Sequence, residues 1–296
     1  MRSFAIFLGL IALGFAGIIL LGYPAWLLVS PLLENPKFSR IASRVGMLIL
    51  LVGFVFVARH LKVADRQSLG FGLPAGKFAR EVAIAFLLGA LLMLLPVGTM
   101  LLTGMRDFEP GIAPGIPGLL KLVLVGAASG LVVALIEETF LRGAMQTAIT
   151  RESGAALAIG LTSVVYAAFH FVAGKYRVAP ADVGFGSGLD MLGEVLQGFA
   201  DPLRILDSFL CLTAVGVLLG CVRLVTGNIA ACIGLHAGWV MVIYVVRETT
   251  LPNPESPAAW LMGEYDGFIG WMVLAWIPVI GWILYRCYDR RRKMGT

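Results

Sequence analysis

Residues Leu122 to Gly143 read LVLVGAASGLVVALIEETFLRG. The first fifteen are apolar or small, and the stretch then turns abruptly to Glu137, Glu138 and Arg142. A soluble helix buries one face and shows the other to water. This stretch has no polar face before Glu137, so lipid rather than water must surround most of it.

The rest of the chain repeats the pattern. Hydrophobic residues make up 59% of the 296 positions, charged residues 14%, and the mean hydropathy is +0.89. A soluble domain carries roughly 25% charged residues. Runs of about 20 apolar residues, the length that crosses a bilayer, occur at 4–22, 44–62, 80–102, 118–141, 155–173, 205–225, 228–248 and 267–286. The expectation is an all-α, polytopic membrane helical bundle of about eight transmembrane helices. Residues 1–296 form a single integral membrane domain, because no linker or internal repeat divides them. The apolar run at the N-terminus continues past the length of a signal peptide's core, and reads as a retained first span.

The net charge of +5 does not point to nucleic acid, since the basic residues are scattered at span ends. One cluster, Arg290 to Lys293, follows the last span and reads as a topology signal. With eight spans both termini share one face, and the Lys/Arg bias makes it the cytoplasmic one. Cys211, Cys221, Cys232 and Cys287 show no metal-type spacing and read as buried fillers. Gly126-x-x-x-Gly130 lets a second helix approach closely, which puts the fourth helix inside the bundle. The Gly- and Asp-rich segment from Gly174 to Pro202 fits an interfacial helix, a re-entrant piece or a gate.

Ionisable groups inside a span cost at least about 2.5–3.5 kcal/mol each, so they are candidates for function. Successive helical residues point about 100° apart, and Glu137 and Glu138 therefore leave the helix on different faces. Arg142 follows Glu138 by four residues, a favourable order for an ion pair. Glu137 is left for another partner and suits a general base. The chain has three histidines. His60 sits beside Arg59 and Lys62 at a span end, whereas His170 and His236 lie in apolar stretches. Glu137 and His170 are equidistant from the Ser153-Gly154 turn, so a helical hairpin folded there brings them to one depth. That hairpin must project beyond the membrane, which strains the boundaries of the fifth span.

Together these residues resemble a known family. Glu137-Glu138-x-x-x-Arg142, then Tyr166-x-x-x-His170, then His236 are similar to the motifs of the type II CAAX prenyl proteases, also called the CPBP or Abi family of glutamic intramembrane endopeptidases. The motif core covers about residues 118–248, and Ser68-Leu-Gly-Phe-Gly-Leu is similar to the family's upstream segment. The resemblance implies peptide-bond hydrolysis without metal or other cofactor. In it Glu137, aided by His170, activates water, His236 donates to the oxyanion, and Glu138 and Arg142 orient Glu137 and balance charge. Position 240, where the family often carries an oxyanion-binding Asn, is Val240. The implied partners are a membrane protein or peptide substrate and the lipid bilayer, with no nucleic acid. Prenylated C-termini are the class the family name implies, whereas the compact loops suit a bacterial inner-membrane protein.

Three other readings compete. Two histidines and a glutamate can hold zinc with one position open. A non-proteolytic scaffold or immunity protein of the same family would need no water activation. Carboxylate–histidine chains also serve proton-coupled transport.

Overall fold

A computed structural model describes residues 1–108, 115–172 and 176–294, with the side chains of 289–294 aside. Ten α-helices and one two-stranded ribbon account for the described order. In chain order these are α1 (Arg2–Val29), α2 (Phe38–His60), α3 (Ala75–Leu102), β1 (Arg106–Phe108), α4 (Ile116–Glu138), a π-helical turn (Thr139–Met145), α5 (Gln146–Ser153) and α6 (Ala155–Phe171). There follow α7 (Ser187–Gly198), α8 (Pro202–Thr226), α9 (Ala230–Thr249), β2 (Thr250–Pro252) and α10 (Trp271–Met294).

The chain is a polytopic helical membrane bundle. Seven of its helical segments are long and apolar enough to cross a bilayer: 2–32, 38–60, 75–102, 116–153, 202–226, 230–249 and 271–288. The eighth expected span, 155–173, is the shorter apolar helix α6 of 17 residues; its residue 173 lies outside the described set. At 1.5 Å per residue α6 rises about 25 Å, short of the hydrocarbon thickness. The hairpin turn falls at Gly154, as the depth argument required, with φ +88, a left-handed conformation that suits glycine. The long limb of this hairpin runs unbroken from Ile116 to Ser153. Pro24 does not end α1, which continues to Val29; a lost hydrogen bond inside a span is tolerable where neighbours re-satisfy the backbone.

Helix α9 is the axis of the bundle. Its exterior is mostly buried, and small residues let its neighbours close on it. A Cβ placed on Gly238 would lie 2.4 Å from the Phe86 carbonyl oxygen, and one on Gly234 would lie 2.3 Å from that of Val82. Those contacts fix α3 against one side of α9. On another side Gly130 of α4 meets Ala237 so closely that a Cβ would sit 2.7 Å from its carbonyl oxygen. Gly126 and Gly130 thus bring α4 onto α9. A second pair at the same spacing, Gly216 and Gly220 of α8, meets Ser163 and Ile159 of α6.

Of the segment from Gly174 to Pro202, the described part contains a 3-10 turn (Pro180–Asp182) and the amphipathic helix α7. Gly188 of α7 packs on the backbone of Ile18 and Ile19, midway along α1. On the face holding the C-terminal end of α9, β1 pairs antiparallel with β2, Arg106 opposite Pro252. Arg106 is buried there and donates to the Thr250 hydroxyl and carbonyl and to the Gly267 carbonyl. The side chains of the basic cluster Arg290 to Lys293 lie outside the described set.

Candidate active site

Glu138 and Arg142 form the ion pair expected from their spacing. Arg142 Nη1 donates to Glu138 Oε1 at 3.0 Å, and both side chains are fully buried. The helix that carries them is not regular. From Thr139 to Met145 it widens to π geometry, a feature often found at functional sites. Arg142 also donates through Nη2 to the Gly216 carbonyl of α8 at 3.3 Å, and its guanidinium lies over the Tyr166 ring, 4.6 Å from the centroid. Two protein elements besides α4 therefore hold this cation.

The same Glu138 oxygen takes a second hydrogen bond. His236 Nδ1 lies 2.9 Å from Glu138 Oε1, in the most buried stretch of α9. A carboxylate paired with an arginine can only accept, so Nδ1 carries the proton. In the neutral ring Nε2 is then the acceptor. Glu137 Oε2 stands 4.0 Å from that Nε2. Glu137 is a third exposed, and its Oε2 has no hydrogen-bond partner in the protein. One imidazole is thus flanked by two adjacent carboxylates, one on each ring nitrogen.

His170 stands apart from this pair. Its Nδ1 lies 2.9 Å from the Tyr166 carbonyl one turn earlier in α6, which by the same logic leaves Nε2 as its acceptor. The Tyr166 ring links the histidines: its centroid is 4.6 Å from that of His170 and 6.0 Å from that of His236. Among the described contacts none joins Glu137 to His170 directly. The hydroxyl of Tyr265 donates to the His170 carbonyl at 2.5 Å, so the loop before α10 clasps the end of α6.

Two hollows meet this constellation from different directions. A groove of about 660 Å³ runs between α2 and the α4–π segment, with Glu137, Phe54, Phe140 and Phe169 in its wall and Arg44 also lining it. Its rim residues Leu48, Leu51, Leu135 and Ile136 are exposed. A smaller cavity, about 100 Å³, is lined by Tyr166, His170, His236 and Trp239 together with apolar residues including Val240.

Residues 119–242 match the family model described as type II CAAX prenyl endopeptidase Rce1-like. That segment is similar to the Rce1-like family. That segment includes Glu137, Glu138, Arg142, His170 and His236, and runs from the apolar part of α4 through most of α9. The Rce1-like segment is less than half of the chain, and α1 to α3 and α10 lie outside it. No curated protein and no solved structure matches the chain. Among the described residues, no three His, Cys, Asp or Glu side chains form a group that could hold a metal ion.

The upstream segment Ser68 to Leu73 also finds its place. Gly70, at φ +85, accepts the Ile229 N–H at 3.1 Å just before α9. The Ser68 carbonyl receives the Thr147 hydroxyl at 2.9 Å. The loop therefore holds α5 and α9 in register near the site. Asn228 lies in the turn before α9, its Oδ1 accepting the Ala230 N–H at 3.0 Å and its Nδ2 donating to the Thr226 carbonyl at 2.9 Å, which commits it to structure. Neither the Gly216 carbonyl nor the Arg142–Tyr166 stack was foreseen from the sequence. The Gly216-x-x-x-Gly220 spacing was the available signal for the first.

Proposed function

We propose that the chain is a membrane-embedded endopeptidase that hydrolyses a peptide bond of a membrane-associated protein or peptide with a water activated by Glu137 and His236. The observation that carries this reading is the 4.0 Å separation of Glu137 Oε2 from His236 Nε2, with Nδ1 held by Glu138. Both facing atoms are acceptors. A water set between them donates one O–H to each and presents its lone pair to a carbonyl carbon.

The steps then follow from the groups on hand. Glu137 takes a proton from the water as the oxygen attacks the scissile carbonyl. The tetrahedral intermediate collapses, and the proton held by Glu137 passes to the leaving amine. Glu138 fixes the His236 tautomer and orientation, much as a buried carboxylate does in a hydrolytic triad. Arg142 offsets the charge of Glu138. His170 lines the adjoining cavity, where its Nε2 assists as an acceptor for water or for the substrate amide. The oxyanion donation that the family resemblance implies for His236 would need the doubly protonated ring, and falls to another group in this scheme. No serine or cysteine nucleophile and no metal takes part.

The groove between α2 and α4 gives a membrane-borne substrate a lateral path to Glu137, because its rim is apolar and exposed. Counting α6 as the returning limb, eight crossings put both termini on one face, cytoplasmic by the Lys/Arg bias, in a bacterial inner membrane.

The test compares membrane proteomes of cells carrying the wild type and Glu137→Gln. A membrane protein that is shortened only with the wild type supports the reading. Equal cleavage by the two proteins, with Glu137→Gln folded and inserted, sinks it.

A further inference from the structure

The Glu138–His236 and Tyr166–His170 hydrogen bonds leave the site rich in acceptors. Both histidines spend their Nδ1–H on protein oxygens, so each neutral ring turns an acceptor towards the remaining space. Glu137 and Glu138 are acceptors as well. A carbonyl undergoing attack gains negative charge on its oxygen, and an acceptor-lined pocket would oppose that change.

Among the donors in the cavity, the Trp239 indole N–H is uncommitted and wholly buried. Trp239 lies one turn after His236 on α9 and lines the same cavity as His236 and His170. It is 7% exposed. Its indole Nε1–H is fully buried and has no hydrogen-bond partner in the protein. A buried N–H left unpaired costs about 1–3 kcal/mol, and such orphans are rare enough to need an explanation. Tyr166 also lines the cavity and its hydroxyl makes no hydrogen bond among the described contacts, but its ring is held between the Arg142 guanidinium and the two imidazoles, whereas Trp239 follows His236 on the same helix. Val240, the next residue of α9, has no polar atom to offer.

We propose that the Trp239 indole N–H is the donor that binds the scissile carbonyl oxygen and stabilises the oxyanion. The role rests on the endopeptidase reading. It assigns the side chain that supplies the positive end of a dipole where a neutral imidazole, its Nδ1–H already committed, does not. Trp239 keeps one proton and exchanges it with nothing, so the step adds no proton transfer to the mechanism.

Two measurements on the full-length protein in detergent test this. The first is steady-state cleavage of an internally quenched peptide carrying a lipid anchor. Trp239→Phe keeps the ring and removes the N–H. Its kcat is expected to fall by about 10²–10³-fold, the loss typical of one oxyanion donor, with KM and melting temperature close to the wild type. A kcat within about threefold of the wild type overturns the role.

The second uses the Glu137→Gln protein, labelled with ¹⁵N at its tryptophans. The Trp239 indole resonance, assigned by elimination through Phe variants of the other tryptophans, is expected to move downfield on addition of a lipid-anchored peptide aldehyde, whose hydrate presents a tetrahedral oxygen. An unmoved resonance under saturating aldehyde overturns the role, also where Trp239→Phe does not fold. A wild type that binds the aldehyde with the indole shift but cleaves no peptide defeats the endopeptidase reading while sustaining the indole contact.

Discussion

Glu138 receives the Nδ1–H of His236 at 2.9 Å across 98 positions of sequence. The same oxygen receives Arg142 from its own helix. The contact therefore joins two functions, since it sets the tautomer of the histidine and closes the charge balance of a buried cation. Glu138→Gln keeps the size of the side chain and removes its charge. Cleavage is expected to drop by about 10²–10⁴-fold, the range spanned by loss of proton-transfer geometry in positioned acid–base catalysis. Kinetics on protein of verified fold measure this, and a drop below tenfold would remove the orienting role of Glu138.

Arg142 presents the opposite risk. Removing one partner of a buried pair leaves an uncompensated charge and typically costs 3–5 kcal/mol, whereas replacing both can be near neutral. Arg142→Met is thus expected to lower the melting temperature sharply. The double variant Glu138→Gln/Arg142→Met is expected to regain much of that stability but no cleavage. Thermal unfolding in detergent, followed together with activity, separates the two effects.

Gly238 and Gly160 should respond to alanine with opposite signs. A Cβ on Gly238 would lie 2.4 Å from the Phe86 carbonyl, backbone that cannot swing aside, while Gly160 in α6 has nothing within 4 Å. Gly238→Ala is expected to cost about 1–3 kcal/mol through displacement of α3. Gly160→Ala is expected to gain about 0.5–1 kcal/mol from the lower flexibility of the unfolded chain. Unfolding midpoints of the pair decide it, and equal shifts would contradict the α3–α9 contact.

Asp65 gives a test by pH outside the spans. Its carboxylate accepts the Ser68 hydroxyl at 2.5 Å and the Ser68 N–H at 2.9 Å, and the hydroxyl bond foremost holds its pKa below the usual value. A depressed folded-state pKa adds stability above the unfolded value, and that contribution disappears as pH falls through the folded one. The stability difference between wild type and Asp65→Asn should therefore be constant near neutrality and shrink on acidification below the ordinary carboxylate range. Melting curves across that range measure it; a gap that widens in acid contradicts the assignment.

Tyr265→Phe isolates the clasp on α6. Losing a hydrogen bond to the His170 carbonyl is expected to cost about 0.5–1.5 kcal/mol. It should lower cleavage less than tenfold, because the imidazole itself keeps its Tyr166 contact. Stability and kcat measured side by side check both parts.

Hydropathy made the bundle legible, because apolar length in lipid is a direct physical requirement. The Glu138–Arg142 pair was legible too, since four residues along one helix fix the distance between two side chains. The hairpin at Gly154 followed from counting. Other parts depend on contacts between distant segments. The resemblance placed His236 at the oxyanion, but its tautomer is set by Glu138, and spacing says nothing about which ring nitrogen meets which carboxylate. The π turn at Thr139–Met145 carries Arg142, whose contacts with Gly216 and Tyr166 lie in other helices, and nothing local to its sequence announces it. The short α6 looked longer because residues beyond Phe171 share its apolar character. Trp239 stood in plain view, but only packing leaves its N–H without a partner.

The internal pairing of Arg142 with Glu138 also bears on how the protein is made. Helices enter the bilayer in the order of synthesis, and His236 is translated 94 residues after Arg142. During that interval α4 must survive in lipid without α9. Because acid and base lie one turn apart on a single helix, they neutralise each other on arrival, and the nascent segment is handed to the membrane carrying its own counter-ion. The later helices inherit a charge already settled, and their task is to dock rather than to rescue.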